Sequence, residues 1–111
     1  MTRLTSQTRI AAPVHTVWAK LADLPAVQDY SPSVASSNWT SEAREGVGVS
    51  GHCDLQNPSG YVEERVTTWD SGKAMTIEIY ESNAPLKSAF AYFTLTPDGE
   101  GTVVDLRIDT N

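Results

Sequence analysis

Lys87-Ser-Ala-Phe-Ala-Tyr-Phe-Thr-Leu-Thr96, Pro97-Asp-Gly99 and Thr102-Val-Val-Asp-Leu-Arg-Ile-Asp109 decide the class of this chain. In the first run Ala89, Ala91, Phe93 and Leu95 alternate with Phe90, Tyr92 and Thr94; in the last, Val104, Leu106 and Ile108 share one face. A period of two puts alternate side chains on opposite faces of a strand. Pro-Asp-Gly between them is a turn, because proline presets one backbone angle and glycine tolerates the next. Two strands joined this tightly pair antiparallel.

The same pattern extends toward the N terminus. Ala74–Glu81 alternates Met75, Ile77 and Ile79, and Asp70-Ser-Gly-Lys73 is the turn before it. Tyr61–Trp69 is a further strand, preceded by the turn Asn57-Pro-Ser-Gly60. Gly46-Val-Gly-Val-Ser-Gly51 opens a strand reaching about Leu55, Val34–Ser41 is a polar strand, and Asn83-Ala-Pro85 breaks the chain. Residues 3–10, rich in threonine, read as an edge or half-buried strand. Between these, Pro13 suits the first turn of a helix carrying Val14, Val17, Trp18 and Leu21. Leu24-Pro25 interrupts it, and Ala26–Tyr30 forms a second short helix closed by Ser31-Pro32. One strand, two helices and six strands with short connections give an α+β domain spanning residues 1–111, built on a large curved antiparallel sheet.

With 111 residues, the chain has the length of one domain and buries roughly two thirds of its unfolded surface. Nine aromatic residues and moderate charge argue against disorder. No apolar run approaches the roughly 20 residues of a membrane-spanning helix. The net charge of −6 and pI near 4.7 leave no basic footprint for a nucleic acid. Arg3, Arg9 and Lys20 are the three bases of the first 22 residues and read as solvated side chains. Cys53 is the single cysteine, so no internal disulfide forms. No signal peptide is legible, and the expected compartment is the reducing cytoplasm.

Gly46-x-Gly48-x-x-Gly51 matches a dinucleotide fingerprint in letters only. That motif requires a helix N-terminus to receive the pyrophosphate, and here a strand follows. The glycines read instead as a bent strand or bulge. His15 is a surface residue without a second histidine at metal spacing. His52 and Cys53 are neighbours on a strand and point to opposite faces, which excludes a nucleophile pair. Two histidines and one cysteine give no sign of a zinc site, metal binding through carboxylates stays open without a positive signal, and no cofactor is expected.

Ala11-Ala-Pro-Val-His-Thr-Val-Trp-Ala-Lys-Leu-Ala-Asp23 resembles the first helix of the START-like, or SRPBCC, superfamily, which includes polyketide cyclases and lipid-transfer domains. Tyr30-Ser-Pro-Ser-Val34, Gly46-Val-Gly48, Glu64-Arg-Val-Thr-Thr-Trp-Asp70 and Gly101-Thr102-Val103 resemble further signatures of that superfamily, in its order. The resemblance runs from about residue 3 to 109. It implies a helix-grip fold, in which a curved sheet wraps a long C-terminal helix and encloses an apolar cavity. The present sequence departs from this pattern after Asp109, where only Thr110 and Asn111 follow. The concave face with Phe93, Leu95, Val104, Leu106 and Ile108 is then left open, as in a fragment, in a dimer whose second copy covers it, or in an unusually open cavity.

Glu63-Glu64-Arg65 is the most notable charged cluster. With Val62, Glu64 and Val66 facing inward beside Ile77 and Ile79, Glu64 is a carboxylate in an apolar cavity, where burial raises its pKa and suits it to proton transfer. The alternatives place Glu64 at the cavity mouth, or shift the register so that Arg65 faces inward. Glu81 continues the Met75, Ile77, Ile79 face toward the rim. The resemblance places Tyr30 where side chains look into the cavity, so its hydroxyl orients a ligand. Ser31 either adds a hydrogen bond or caps the turn, and Trp39 stands inside or at the rim. Trp69, Tyr80, Phe90 and Tyr92 share the outer face as cross-strand packing, unless they form a partner surface or the facing is inverted.

The candidate site is therefore Tyr30, Ser31, Trp39, Glu64, Ile77, Ile79, Phe93 and Leu106, with Glu64 and Tyr30 as the catalytic candidates. Three functions compete: a carrier of a small hydrophobic, lipid- or polyketide-like molecule; a cofactor-free polyketide cyclase or dehydratase; and a partner-binding domain. One slipped residue of register inverts every facing assignment.

Overall fold

In the computed structural model, residues 2–56, 59–83 and 88–110 are described. The strands are β1 (Thr2–Ile10), β2 (Val34–Trp39), β3 (Ser50–Leu55), β4 (Gly60–Asp70), β5 (Ala74–Ser82), β6 (Ala89–Asp98) and β7 (Gly101–Thr110). Between β1 and β2 lie the helices α1 (Val14–Ala22) and α2 (Val27–Tyr30), joined by a 3-10 turn over Leu24–Ala26. All seven strands form one antiparallel sheet in the order β1-β7-β6-β5-β4-β3-β2. The curved sheet and two short helices are those of a helix-grip fold. Parts of the expected breaks at Asn57-Pro58 and Ala84-Pro85 lie outside the described residues.

Helix α1 follows Pro13, which sits just before it in an extended conformation, and Lys20 in its last turn complements the helix dipole. Val17 and Trp18 are its buried residues. They join Leu24, Val49, Val66, Met75, Ile77 and Leu95 in one core on the concave side. Trp18 meets Trp69 edge-on, with ring centroids 5.2 Å apart, an orientation favoured by the ring quadrupoles. The first helix is thereby anchored inside the curve of the sheet.

Two β-bulges in the β4–β5 ladder set the facing. Val66 pairs with Ile77, but the next pair is Thr68 with Thr76, so Thr67 is extra. Glu63 pairs with Glu81 and Glu64 with Ile79, so Tyr80 is extra. Each extra residue reverses the alternation and adds curvature. Two expectations fail for this reason. Trp69 turns inward against Trp18 instead of joining the outer aromatics. Glu81 turns outward, its Oε2 facing the Tyr61 hydroxyl at 3.5 Å. Tyr80, Phe90 and Tyr92 do occupy the outer face, where Arg65 lies over Tyr80 and Arg107 over Tyr92. The register with Arg65 inward is excluded, because Arg65 Nε donates to Glu78 Oε1 at 2.7 Å on that outer side.

Three other boundaries shift. Gly46 and Gly48 precede β3 rather than belonging to it, with φ of 91° and 95°, angles other residues rarely adopt. β2 stops at Trp39. β6 runs through Pro97 and Asp98, and its hairpin turns at Gly99-Glu100. On the outer strand β1, Arg3 pairs with Asp109 at 2.9 Å and Arg9 with Asp98 at 3.0 Å, while Lys20 pairs with Asp29 at 2.8 Å. The N-terminal bases are thus partnered charges on exposed side chains rather than a free basic patch.

The core makes a direct stability prediction. Met75, 1% exposed, replaced by Ala should cost about 2–5 kcal/mol in urea unfolding. Leu4, 61% exposed on β1, replaced by Ala should change stability by about 0.5 kcal/mol or less.

Candidate functional site

The concave face holds two adjoining spaces. An inner cavity of about 110 Å³ is lined by Leu24, Tyr30, Glu64, Ile77, Ile79 and Phe93, among others. An outer trough of about 640 Å³ runs between β1, β6, β7 and α1, with Ile10, Val17, Val104 and Leu106 in its apolar wall. Leu21, Tyr30 and Phe93 border both spaces, so Tyr30 stands at their junction. The sheet registers explain the convergence: Glu64 lies opposite Ile79, Val66 opposite Ile77, and Met75 opposite Phe93.

Among the described residues Glu64 is the one carboxylate on the wall of the inner cavity. Its Oε1 lies 3.6 Å from the Cys53 Sγ, and Cys53 also lies 3.3 Å from the Ser37 Oγ. Burial raises the Glu64 pKa above the ordinary carboxylate value, the Cys53 contact lowers it, and the neighbouring Glu63 charge raises it. The Cys53 thiol is pushed up to about 12, first by burial and then by Glu64, and so stays protonated. The Tyr30 hydroxyl, on a residue that is 48% exposed as a whole, is raised to about 12 by local desolvation and by the Glu64 charge, and so keeps its proton at neutral pH. Within this group the Cys53 Sγ donates to Glu64 Oε1, and the raised values of Cys53 and Tyr30 leave both protonated. Cys53 and Ser37 were not legible as its neighbours, because the pairing of β2, β3 and β4 alone brings them together.

The other expected residues divide. Ile77, Ile79 and Phe93 line the inner cavity and Leu106 the trough. Trp39 lies apart from them, beside Trp18, Ala22 and Trp69 on the opposite flank of α1. The Ser31 backbone N–H donates to the Val27 carbonyl at 2.9 Å and its own carbonyl accepts from Val34, which fits a turn-closing residue. His15 is exposed. His52 points away from the cavity, its ring between Asp54 and Glu63 and stacked on Tyr61. Among the described residues no group of three or more His, Cys, Asp and Glu side chains could hold a metal. No helix among them is long and apolar enough to cross a membrane.

The raised Glu64 pKa has a signed consequence. Below the unfolded value of 4.5 both states are protonated and Glu64 costs nothing; as pH rises through the higher folded value, the buried charge destabilises the fold. Glu64→Gln should therefore be more stable than the parent at pH 7, with the difference vanishing below about pH 4. Urea titrations of both proteins at several pH values measure this, and parallel curves at all pH would contradict it.

Comparisons with known proteins agree with this architecture. The aromatase/cyclase Zhui from Streptomyces sp. R1128 superposes with a TM-score of 0.86 at 18% identity, covering 99% of this chain and 67% of that one. A START superfamily protein from Mycobacterium smegmatis gives 0.85 at 15% identity, covering 98% and 76% respectively. Ginseng major latex-like protein 151 from Panax ginseng gives 0.81 at 17% identity, covering 99% and 78%. At such identities these likenesses speak for the fold. No curated protein matches in sequence. The family model described as polyketide cyclase / dehydrase and lipid transport matches residues 1–111, and the chain belongs to that family.

Proposed function

We propose that this protein binds a small hydrophobic molecule along the trough, with one end reaching the inner cavity beside Glu64 and Tyr30. The observation that carries this reading is that Leu21, Tyr30 and Phe93 border both spaces, whose walls between β1, β5, β6, β7 and α1 are largely apolar. Apolar area removed from water supplies the affinity, at about 25 cal/mol per Å², and a few polar groups orient the ligand. The trough, at about 640 Å³, has the volume of a small-molecule site, and the inner cavity, at about 110 Å³, takes only a small part of the ligand.

Glu64 supports a second reading, a cyclase or dehydratase. A carboxylate whose pKa is raised in an apolar cavity is suited to removing a proton from carbon between two carbonyl groups. The resulting enolate attacks a second carbonyl of the same chain, and the Tyr30 hydroxyl donates to the oxygen that becomes negative. The curved cavity contributes by holding the chain folded, which replaces a loss of entropy at the reacting step.

The binding reading is tested with 1-anilinonaphthalene-8-sulfonate as a fluorescent apolar probe. Ala91 lines the inner cavity opposite Ile77, and Ala91→Phe should fill it. Probe affinity should drop about tenfold or more while circular dichroism stays unchanged; undiminished binding would reject the cavity as the site. The two readings separate with Glu64→Gln. In a catalyst, cyclisation of a poly-β-ketone thioester falls by about 100-fold or more with probe binding retained, whereas in a carrier no turnover is present to lose.

A further inference from the structure

We propose a second ligand site, on the flank of α1 that faces away from the trough, that binds a neutral saccharide. All three tryptophans of the chain, Trp18, Trp39 and Trp69, border one depression of about 460 Å³. It lies on the flank of α1 opposite the trough: residues 16, 17, 20 and 21 face the trough, while 18, 19 and 22 face the depression. Small side chains make the room, because Ala19 and Ala22 leave the helix surface low between the rings. The bulge at Thr67 is what brings Trp69 to this place.

The polar groups around the rings select the ligand class. Asp23 and Glu45 stand on the rim and make no ion pair among the described residues. Arg44 lies over the Trp39 ring at 4.9 Å, and its Nη1 donates to the Ser41 carbonyl at 2.6 Å. No carboxylate within the described residues pairs with it. A cationic ligand would suit the rings and carboxylates but meet the Arg44 charge. An anion would suit Arg44 but meet both carboxylates. A neutral polyhydroxylated ring satisfies all three: its hydroxyls donate to Asp23 and Glu45 and accept from Arg44. The C–H face of a pyranose carries slight positive charge and lies well against the negative face of an indole. The volume lies within the usual range for small-molecule sites.

Because every tryptophan borders this depression, intrinsic fluorescence reports its occupancy without a label. The test is titration of the full chain with cellobiose and maltose, with choline chloride and sodium benzoate as charged comparisons. At least one disaccharide should shift the emission in a saturable curve, with a dissociation constant on the order of 1 mM. Asp23→Asn and Arg44→Ala, both at exposed positions and expected to leave the fold intact, should each weaken that binding about tenfold. Binding of the apolar probe should be unchanged in both, which separates this site from the cavity on the other flank. A response to choline or benzoate but to neither sugar, no saturable response, or sugar affinity indifferent to both substitutions would each overturn the proposal.

Discussion

The seating of Val17 and Trp18 inside the curved sheet is the contact on which the rest depends. Trp18 is 9% exposed and Val17 6% exposed, and together they cover Val66, Met75 and Leu95. Fully burying side chains of this kind contributes about 1.5–3 kcal/mol each. A nine-residue helix is too short to be stable alone, so α1 exists because the sheet receives it. Its position then divides the concave side. One flank closes an apolar cavity with Leu21, and the other leaves the tryptophan-lined depression beside Ala19 and Ala22.

Most of the architecture is legible in the sequence because its strands alternate cleanly and its turns carry Gly, Pro, Asp and Asn. The hairpin of β6 and β7 is the clearest case: Ala91, Phe93 and Leu95 share one face with Ile108, Leu106 and Val104 in successive register pairs. Facing was harder to read where alternation breaks. Nothing in Glu64-Arg-Val-Thr-Thr-Trp-Asp70 marks Thr67 as an extra residue, so Trp69 reads as outward by simple parity. The same applies to Tyr80 and its effect on Glu81. A bulge is decided by how the sheet bends over α1, which is a tertiary demand without a local signature.

Glu64 was legible because Val62, Glu64 and Val66 precede the bulge at Thr67 and keep their parity. What sequence did not reveal is the company it keeps. Cys53 and Ser37 reach it through three paired strands, and Leu24 reaches the cavity through the 3-10 turn that Pro25 begins to shape. The environment explains the chemistry: burial disfavours the ionised carboxylate, and the nearby protonated thiol partly offsets that cost. A group balanced in this way orients a ligand hydroxyl in a carrier and accepts a proton in a cyclase. Family membership is compatible with both roles.

In the proposed binding mode the apolar ligand enters between α1 and the concave face. Mapping amide and side-chain NMR shifts on addition of 1-anilinonaphthalene-8-sulfonate tests it most directly. Changes should concentrate at Leu21, Tyr30, Ala91, Phe93 and Leu106. Changes concentrated instead at Tyr80, Phe90 and Tyr92, on the convex side, would contradict it.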